Sequence, residues 1–123
     1  MKTVLVVDDS SVIRKIARRM FEELKFKVLE AEDAAAAMSI CTEKLPDVIL
    51  LDWNMPEKSG LEFLIDLRNM PHGDEPKVIF CTTENQQSKI INAMEAGADE
   101  YIMKPFNEYV IREKLEQVGM LDS

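Results

Sequence analysis

The chain has 123 residues, which fits one domain able to bury its own core without staples. Apolar residues make up 46% and charged residues 31%, the balance of an ordinary soluble globule. The net charge of −8 argues against nucleic acid and against an anionic membrane as main partner, because both call for a basic face.

The two cysteines, Cys41 and Cys81, lack metal-ligand spacing. A reducing cytoplasm is the simplest setting for them. The apolar run at residues 3–7 is too short for a signal-peptide core, and no run approaches the roughly 20 apolar residues of a membrane span. Repeats, linkers and low-complexity segments are not evident.

Short apolar runs alternate with helix-period segments. A strand is predicted over residues 3–8, ending in Asp8-Asp9. A helix follows, with Val12, Ile13, Ile16, Ala17, Met20, Phe21 and Leu24 as its apolar stripe and Asp9, Ser10 or Ser11 as its cap. Residues 27–31 read as a second strand, more polar than the others and therefore suited to a sheet edge. Asp33 can cap a second helix that runs through the alanines 34–37 to about Lys44. Residues 47–52 form a third strand, which ends at Asp52. A third helix spans about 61–70, and His72 follows in an exposed loop. The fourth strand, 77–82, carries Cys81 as a buried thiol and ends at Thr82-Thr83. A fourth helix covers about 86–96, with Gly97 as its stop. The fifth strand, 100–103, ends at Lys104. The fifth helix places Val110, Ile111, Leu115 and Val118 on one face, and residues 121–123 read as a tail with no output domain beyond it.

Five strand–helix units in strict alternation imply a parallel sheet covered by helices on both faces, with right-handed crossovers. Such α/β sheets gather ligands at the carboxyl ends of their strands. Here those ends carry Asp8, Asp9, Asp52, Thr82, Thr83 and Lys104. Two carboxylates about 4 Å apart repel by roughly 4 kcal/mol at an effective dielectric near 20. A cluster of them calls for a cation or a shared proton. Each residue alone has a blander reading: Asp8-Asp9 or Asp52 as caps, Thr82 as a strand residue, Lys104 as a solvated charge, Tyr101 as a strand aromatic. Together they gather two signs of charge, hydroxyls and a candidate nucleophile at one edge.

Val7-Asp8-Asp9-Ser10, Asp52-Trp53-Asn54-Met55-Pro56, Gly60, Thr82-Thr83-Glu84 and Tyr101-Ile102-Met103-Lys104-Pro105-Phe106 resemble the receiver domain of bacterial two-component response regulators, in particular the stand-alone chemotaxis type. The resemblance runs essentially end to end, over 1–123. It implies a doubly wound, flavodoxin-like (βα)5 fold with strand order 2-1-3-4-5. It implies that Asp52 accepts a phosphoryl group from a sensor histidine kinase or phosphotransfer protein, so that the domain assists its own phosphorylation and dephosphorylation without being a conventional enzyme. By the same resemblance Asp9, Asp52 and the Asn54 carbonyl hold Mg²⁺, with Asp8 helping through water. Lys104 and Thr82 would bind phosphoryl oxygens. Thr82 and Tyr101 would switch the surface of helix four, strand five and helix five. Asn54 and Glu84 would tune a short phosphoryl lifetime. Ile90, Tyr101 and Lys114 would meet an output partner, for which the flagellar motor switch is the first expectation. The domain would be a monomer that could dimerise when phosphorylated. Lys104-Pro105 is typically cis in this family.

The chain departs from the family pattern at Ala34, where Gly is common, and at Ser59, where Asp is common. Three rival classes fit the pattern less well. A haloacid-dehalogenase-type phosphatase needs a second Asp two residues after the nucleophile, but position 54 is Asn. A flavin carrier needs a hydroxyl- and Gly-rich phosphate loop, which Asp8-Asp9 would repel. A constitutive docking module would lack one of the key residues, and none is missing. Service in a phosphorelay or another non-motility pathway remains the alternative to motor control.

Overall fold

The computed structural model describes residues 1–83 and 87–121. Its elements are β1 (Thr3–Val7), α1 (Ser11–Glu23), β2 (Lys27–Ala31), α2 (Ala34–Glu43), β3 (Val48–Asp52), α3 (Gly60–Asn69), β4 (Lys77–Thr82), α4 (Gln87–Glu95), β5 (Glu100–Met103) and α5 (Glu108–Gln117). All strands are parallel and their order is β2-β1-β3-β4-β5, the flavodoxin-like (βα)5 arrangement expected from the sequence.

Alternation along the strands divides the core in two. Leu5, Val7, Ile49, Leu51, Val78 and Phe80 face α2, α3 and α4, where they meet residues such as Ala37, Phe63, Leu67 and Ala93. Val4, Val6, Val48, Leu50, Ile79 and Ile102 face α1 and α5, against Phe21, Ile111 and Leu115. Central strands must be apolar on both sides, which is why β1, β3 and β4 read as unbroken apolar runs. The polar β2 lies at an edge, as its composition implies.

The strands 27–31, 77–82 and 100–103 have the predicted ends. β1 stops one residue early, at Val7. The Asp8 N–H still donates to the Ala31 carbonyl at 3.1 Å, but Asp8 Oδ1 accepts the Ser10 N–H at 2.9 Å, and this local turn ends the ladder. β3 begins one residue late, at Val48, because Asp47 Oδ2 accepts the Thr3 N–H at 2.8 Å and holds the entry to the strand.

Among the three candidate caps of α1, Ser10 serves, accepting the Ile13 N–H. The predicted stripe of α1 needs correction. Val12 and Ile16 are 63% and 44% exposed, while Ala17, Phe21 and Leu24 are buried. One flank of the Ala17–Phe21 line carries Arg14 and Arg18, both ion-paired with Glu30 of β2. That docking rotates Val12 and Ile16 on the opposite flank into solvent. Asp33 caps α2 as expected, accepting the Ala36 N–H at 2.8 Å, and Ala34 is buried in the first turn. Ser59 caps α3 through a capping box with Glu62, so the departure from Asp at this position preserves a cap. α4 is described from Gln87, and Gln86 lies outside the described residues.

Leu121 does not belong to a loose tail. The Met120 N–H donates to the Leu115 carbonyl and the Gly119 N–H to the Glu116 carbonyl, with Gly119 at φ +79°, and Met120 and Leu121 pack on the α1–α5 core. At the amino-terminal edge of the sheet, Arg68 of α3 donates to the carbonyls of Gly73, Pro76 and Gly97 and to Asp99 Oδ2, and the same carboxylate oxygen accepts the Val78 N–H. No helix among the described residues is long and apolar enough to cross a membrane.

Candidate functional site

The sheet register sets the site. Val7 pairs with Leu51 and Asp52 pairs with Cys81, so Asp8 and Asp52 emerge side by side at the carboxyl edge, with Thr82 one step further along β4. Lys104 follows β5, and its N–H donates to the Thr82 carbonyl at 2.9 Å. The Lys104–Pro105 peptide is cis.

Asp8 is 3% exposed and Asp52 5%, and both share one cation. Lys104 Nζ donates to Asp8 Oδ2 at 2.8 Å and to Asp52 Oδ1 at 3.1 Å. Asp9 is exposed at the rim, and carboxylate oxygens of Asp8, Asp9 and Asp52 all lie within 4.8 Å of one another. Burial first, then the charge of Asp8, push the Asp52 carboxyl above its ordinary range against the pull of Lys104, and Asp9 adds to the upward push. For Lys104, burial alone would favour the neutral amine. The hydrogen bond it donates to Asp8 and the charges of Asp52 and Asp8 outweigh it, so the ammonium is held above its usual value.

Three carboxylates against one shared ammonium leave an excess of negative charge in a partly buried pocket. The donors are hard oxygens on a rim open to solvent at Asp9. This set fits a small divalent cation that keeps some of its waters, as Mg²⁺ does.

The flanking residues are arranged around the cluster. Gly60, at the start of α3, donates its N–H to the Trp53 carbonyl at 2.9 Å. Trp53 is half-buried beside Asp52, edge-on to Phe80 with ring centroids 4.7 Å apart, and Lys89 Nζ lies 5.6 Å from its ring. Asn54 is exposed on the loop after β3. Thr82 is buried at the end of β4. Glu84 lies outside the described residues. Tyr101 and Lys114 come together, with Lys114 Nζ 5.0 Å from the tyrosine ring, and Ile90 is half-buried on α4. Cys81, beneath the site, is buried and its thiol is pushed up to about 12, and Cys41 is pushed up to about 11, both chiefly by desolvation. Neither is poised as a nucleophile. His72 is exposed, with Nδ1 2.9 Å from Glu75.

Sequence reasoning missed Arg14. Its Nη1 donates to the Asp8 backbone carbonyl at 2.7 Å while its Nε holds Glu30 at 3.0 Å, so α1 and β2 together fix the loop that presents the acidic pair. The signal was Glu30, a carboxylate inside a strand, which needs a cation from a neighbouring element.

Residues 4–116 match the family model described as the response regulator receiver domain. The chain is 40% identical over 117 residues to a chemotaxis protein CheY homolog of Campylobacter jejuni, covering 94% of this chain and 90% of that protein. It is also 40% identical over 121 residues to chemotaxis protein CheY1 of Helicobacter pylori, covering 94% of each. It is 36% identical to the phosphate regulon transcriptional regulatory protein PhoB of Pseudomonas aeruginosa, across 99% of this chain but 55% of that protein. Among solved structures, chemotaxis protein CheY4 of Vibrio cholerae superposes with a TM-score of 0.91 at 30% identity, covering 96% of this chain and 98% of that one.

Proposed function

Since this chain belongs to the response regulator receiver family, we propose that Asp52 is its phosphoacceptor and that the surface around Tyr101 carries the output. The observation that carries this reading is the convergence of Asp8, Asp9 and Asp52 with Lys104 bonded to both buried carboxylates. In the proposed reaction an Asp52 carboxylate oxygen attacks phosphorus on a phosphohistidine donor. The new O–P bond forms as the N–P bond breaks, and the imidazole leaves with the electron pair.

The chain's own residues position this exchange. β3 fixes Asp52, and the Gly60 N–H on the Trp53 carbonyl fixes the loop behind it. Lys104 is already within hydrogen-bond reach of the nucleophilic carboxylate and needs little movement to meet an incoming phosphoryl oxygen. Thr82, buried at the neighbouring strand end, is assigned a second phosphoryl oxygen. Asp8, Asp9 and Asp52, with the Asn54 carbonyl, would hold Mg²⁺, which when bound supplies charge neutralisation for the acidic cluster and the phosphoryl group. Asn54 and Glu84 are assigned the tuning of hydrolysis.

A phosphoryl group adds a charge of roughly −1.5 to −2. In this reading Thr82 turns toward it, Tyr101 follows, and the face containing Ile90, Tyr101 and Lys114 shifts between two pre-existing forms. The chemotaxis relatives favour a motility pathway in the cytoplasm, with a kinase or phosphotransfer protein upstream and the motor switch downstream. Similarity to PhoB supports the second reading, a receiver serving another pathway. The test is Trp53 fluorescence during addition of Mg²⁺ and then beryllofluoride, an aspartyl-phosphate mimic. A saturable response to each, with the second lost in Asp52→Asn, is the expected result. An unchanged second response in that variant removes Asp52 from the role.

A further inference from the structure

Beside Tyr101 lies a closed network that the phosphoacceptor chemistry does not use. β5 is an edge strand. The Tyr101 backbone N–H donates to Glu100 Oε1, the carboxylate of the preceding residue, at 3.0 Å. The same oxygen lies 3.3 Å from Lys114 Nζ of α5. That ammonium in turn lies 5.0 Å from the centroid of the Tyr101 ring. One carboxylate oxygen thus ties the tyrosine's backbone to the cation that covers its side chain. Both partners of the ion pair are largely shielded from water, with side chains 17% and 23% exposed for Lys114 and Glu100 respectively. Tyr101 also packs against the apolar cluster on the α2, α3 and α4 side of the sheet.

We propose that Glu100 and Lys114 form a latch that positions the Tyr101 ring and sets how readily the output face changes state. Rotation of the ring about the Cα–Cβ bond carries its centroid off the ammonium. Lys114 cannot follow without leaving Glu100, whose own place is fixed by the Tyr101 N–H. The latch therefore favours the resting arrangement, and its strength enters the equilibrium that a phosphoryl group at Asp52 must shift. This rests on the reading of Tyr101 as the switch residue. Glu100 is a positioning residue. It acts on Tyr101 through Lys114 and touches none of the reacting atoms.

The experiment uses the full chain labelled with 3-fluorotyrosine. Tyr101 and Tyr109 give two fluorine resonances, and Tyr109→Phe assigns them. Wild type, Glu100→Gln, Lys114→Met and Lys114→Arg are compared during titration with Mg²⁺ and beryllofluoride. Glu100→Gln keeps an oxygen for the Tyr101 N–H while removing the charge that holds Lys114, so its fold is spared. The expected result is that Glu100→Gln and Lys114→Met move the Tyr101 resonance toward its saturated position before any beryllofluoride is added. Half-saturation should fall by about threefold, the scale of one modest cation–π contact. Lys114→Arg should restore both, since a guanidinium also covers an aromatic face. A wild-type resonance that moves at saturation but is unaltered by both substitutions overturns the latch alone. A wild-type Tyr101 resonance that stays fixed while Trp53 reports binding overturns the switch reading, and the latch with it.

Discussion

A Cβ built on Gly60 would stand 2.2 Å from the carbonyl oxygen of Asp52. Space at this point is denied by backbone, which cannot yield as a flexible side chain does, so Gly60 fixes how closely α3 approaches the end of β3. Gly60→Ala is expected to push the Asp52 peptide aside and to destabilise the fold by about 1–3 kcal/mol, the usual cost of overpacking. Urea unfolding measures the cost, and beryllofluoride affinity reports the displaced carboxylate. Unchanged values for both would show that the approach can relax freely.

Asp52 makes a pH signature in metal-free protein. Its carboxyl is raised by burial and by Asp8, so the folded state holds that proton more tightly than the unfolded chain, whose Asp titrates at about 3.9. The contribution of Asp52 to stability is greatest below the unfolded value. It declines as pH rises through the folded value and stays low above it. Asp52→Asn is therefore expected to melt higher than wild type at pH 7 in EDTA, with the gap closing on acidification. A variant that melts lower at pH 7 would mean that the bond to Lys104 outweighs burial and repulsion.

Lys104→Met strands two buried carboxylates without their shared cation. Breaking a buried ion pair from one side costs about 3–5 kcal/mol, and that range is expected here in EDTA. Mg²⁺ should recover part of the loss, because a divalent ion can stand in for the missing charge between the acids. Thermal melts with and without Mg²⁺ measure both effects. Equal loss under the two conditions would separate the lysine's structural role from the acidic cluster.

Mg²⁺ itself should stabilise the wild-type chain by mass action, by about 2.7 kcal/mol at a hundredfold excess over its dissociation constant. Asp9→Asn should remove most of that gain while leaving the metal-free melting temperature near wild type, since Asp9 is exposed at the rim. Retention of the full gain in this variant would place the ion elsewhere.

The sequence was legible where one interaction dominates. Strands buried on both faces announce themselves as apolar runs, and Asp8, Asp52 and Lys104 were readable because topology brings strand ends together whatever the loops do. Val12 and Ile16 misled because periodicity shows which residues share a helix face but not which way that face is turned. The turn was decided by Arg14 and Arg18 reaching Glu30, a pairing between elements that no local pattern encodes. Ser59 looked like a departure because its role depends on Glu62, three residues on. Glu100 carried no signal at all, since its partners are a backbone N–H and a lysine from the following helix. Leu121 was misread because the Gly119 turn folds the chain back onto the core.

Arg68 gives the molecule a fixed foot. Its guanidinium fastens the loops entering β4 and β5 to α3, at the end of the sheet remote from Asp52. Those bonds tie the entry points of β4 and β5 to α3 and oppose sliding of either strand along its length. In the proposed switch, a disturbance introduced beside Thr82 or Lys104 would therefore act at the carboxyl ends of β4 and β5, away from the Arg68 clamp. In that switch, the stiffness of the Arg68 end is what would give the change a direction.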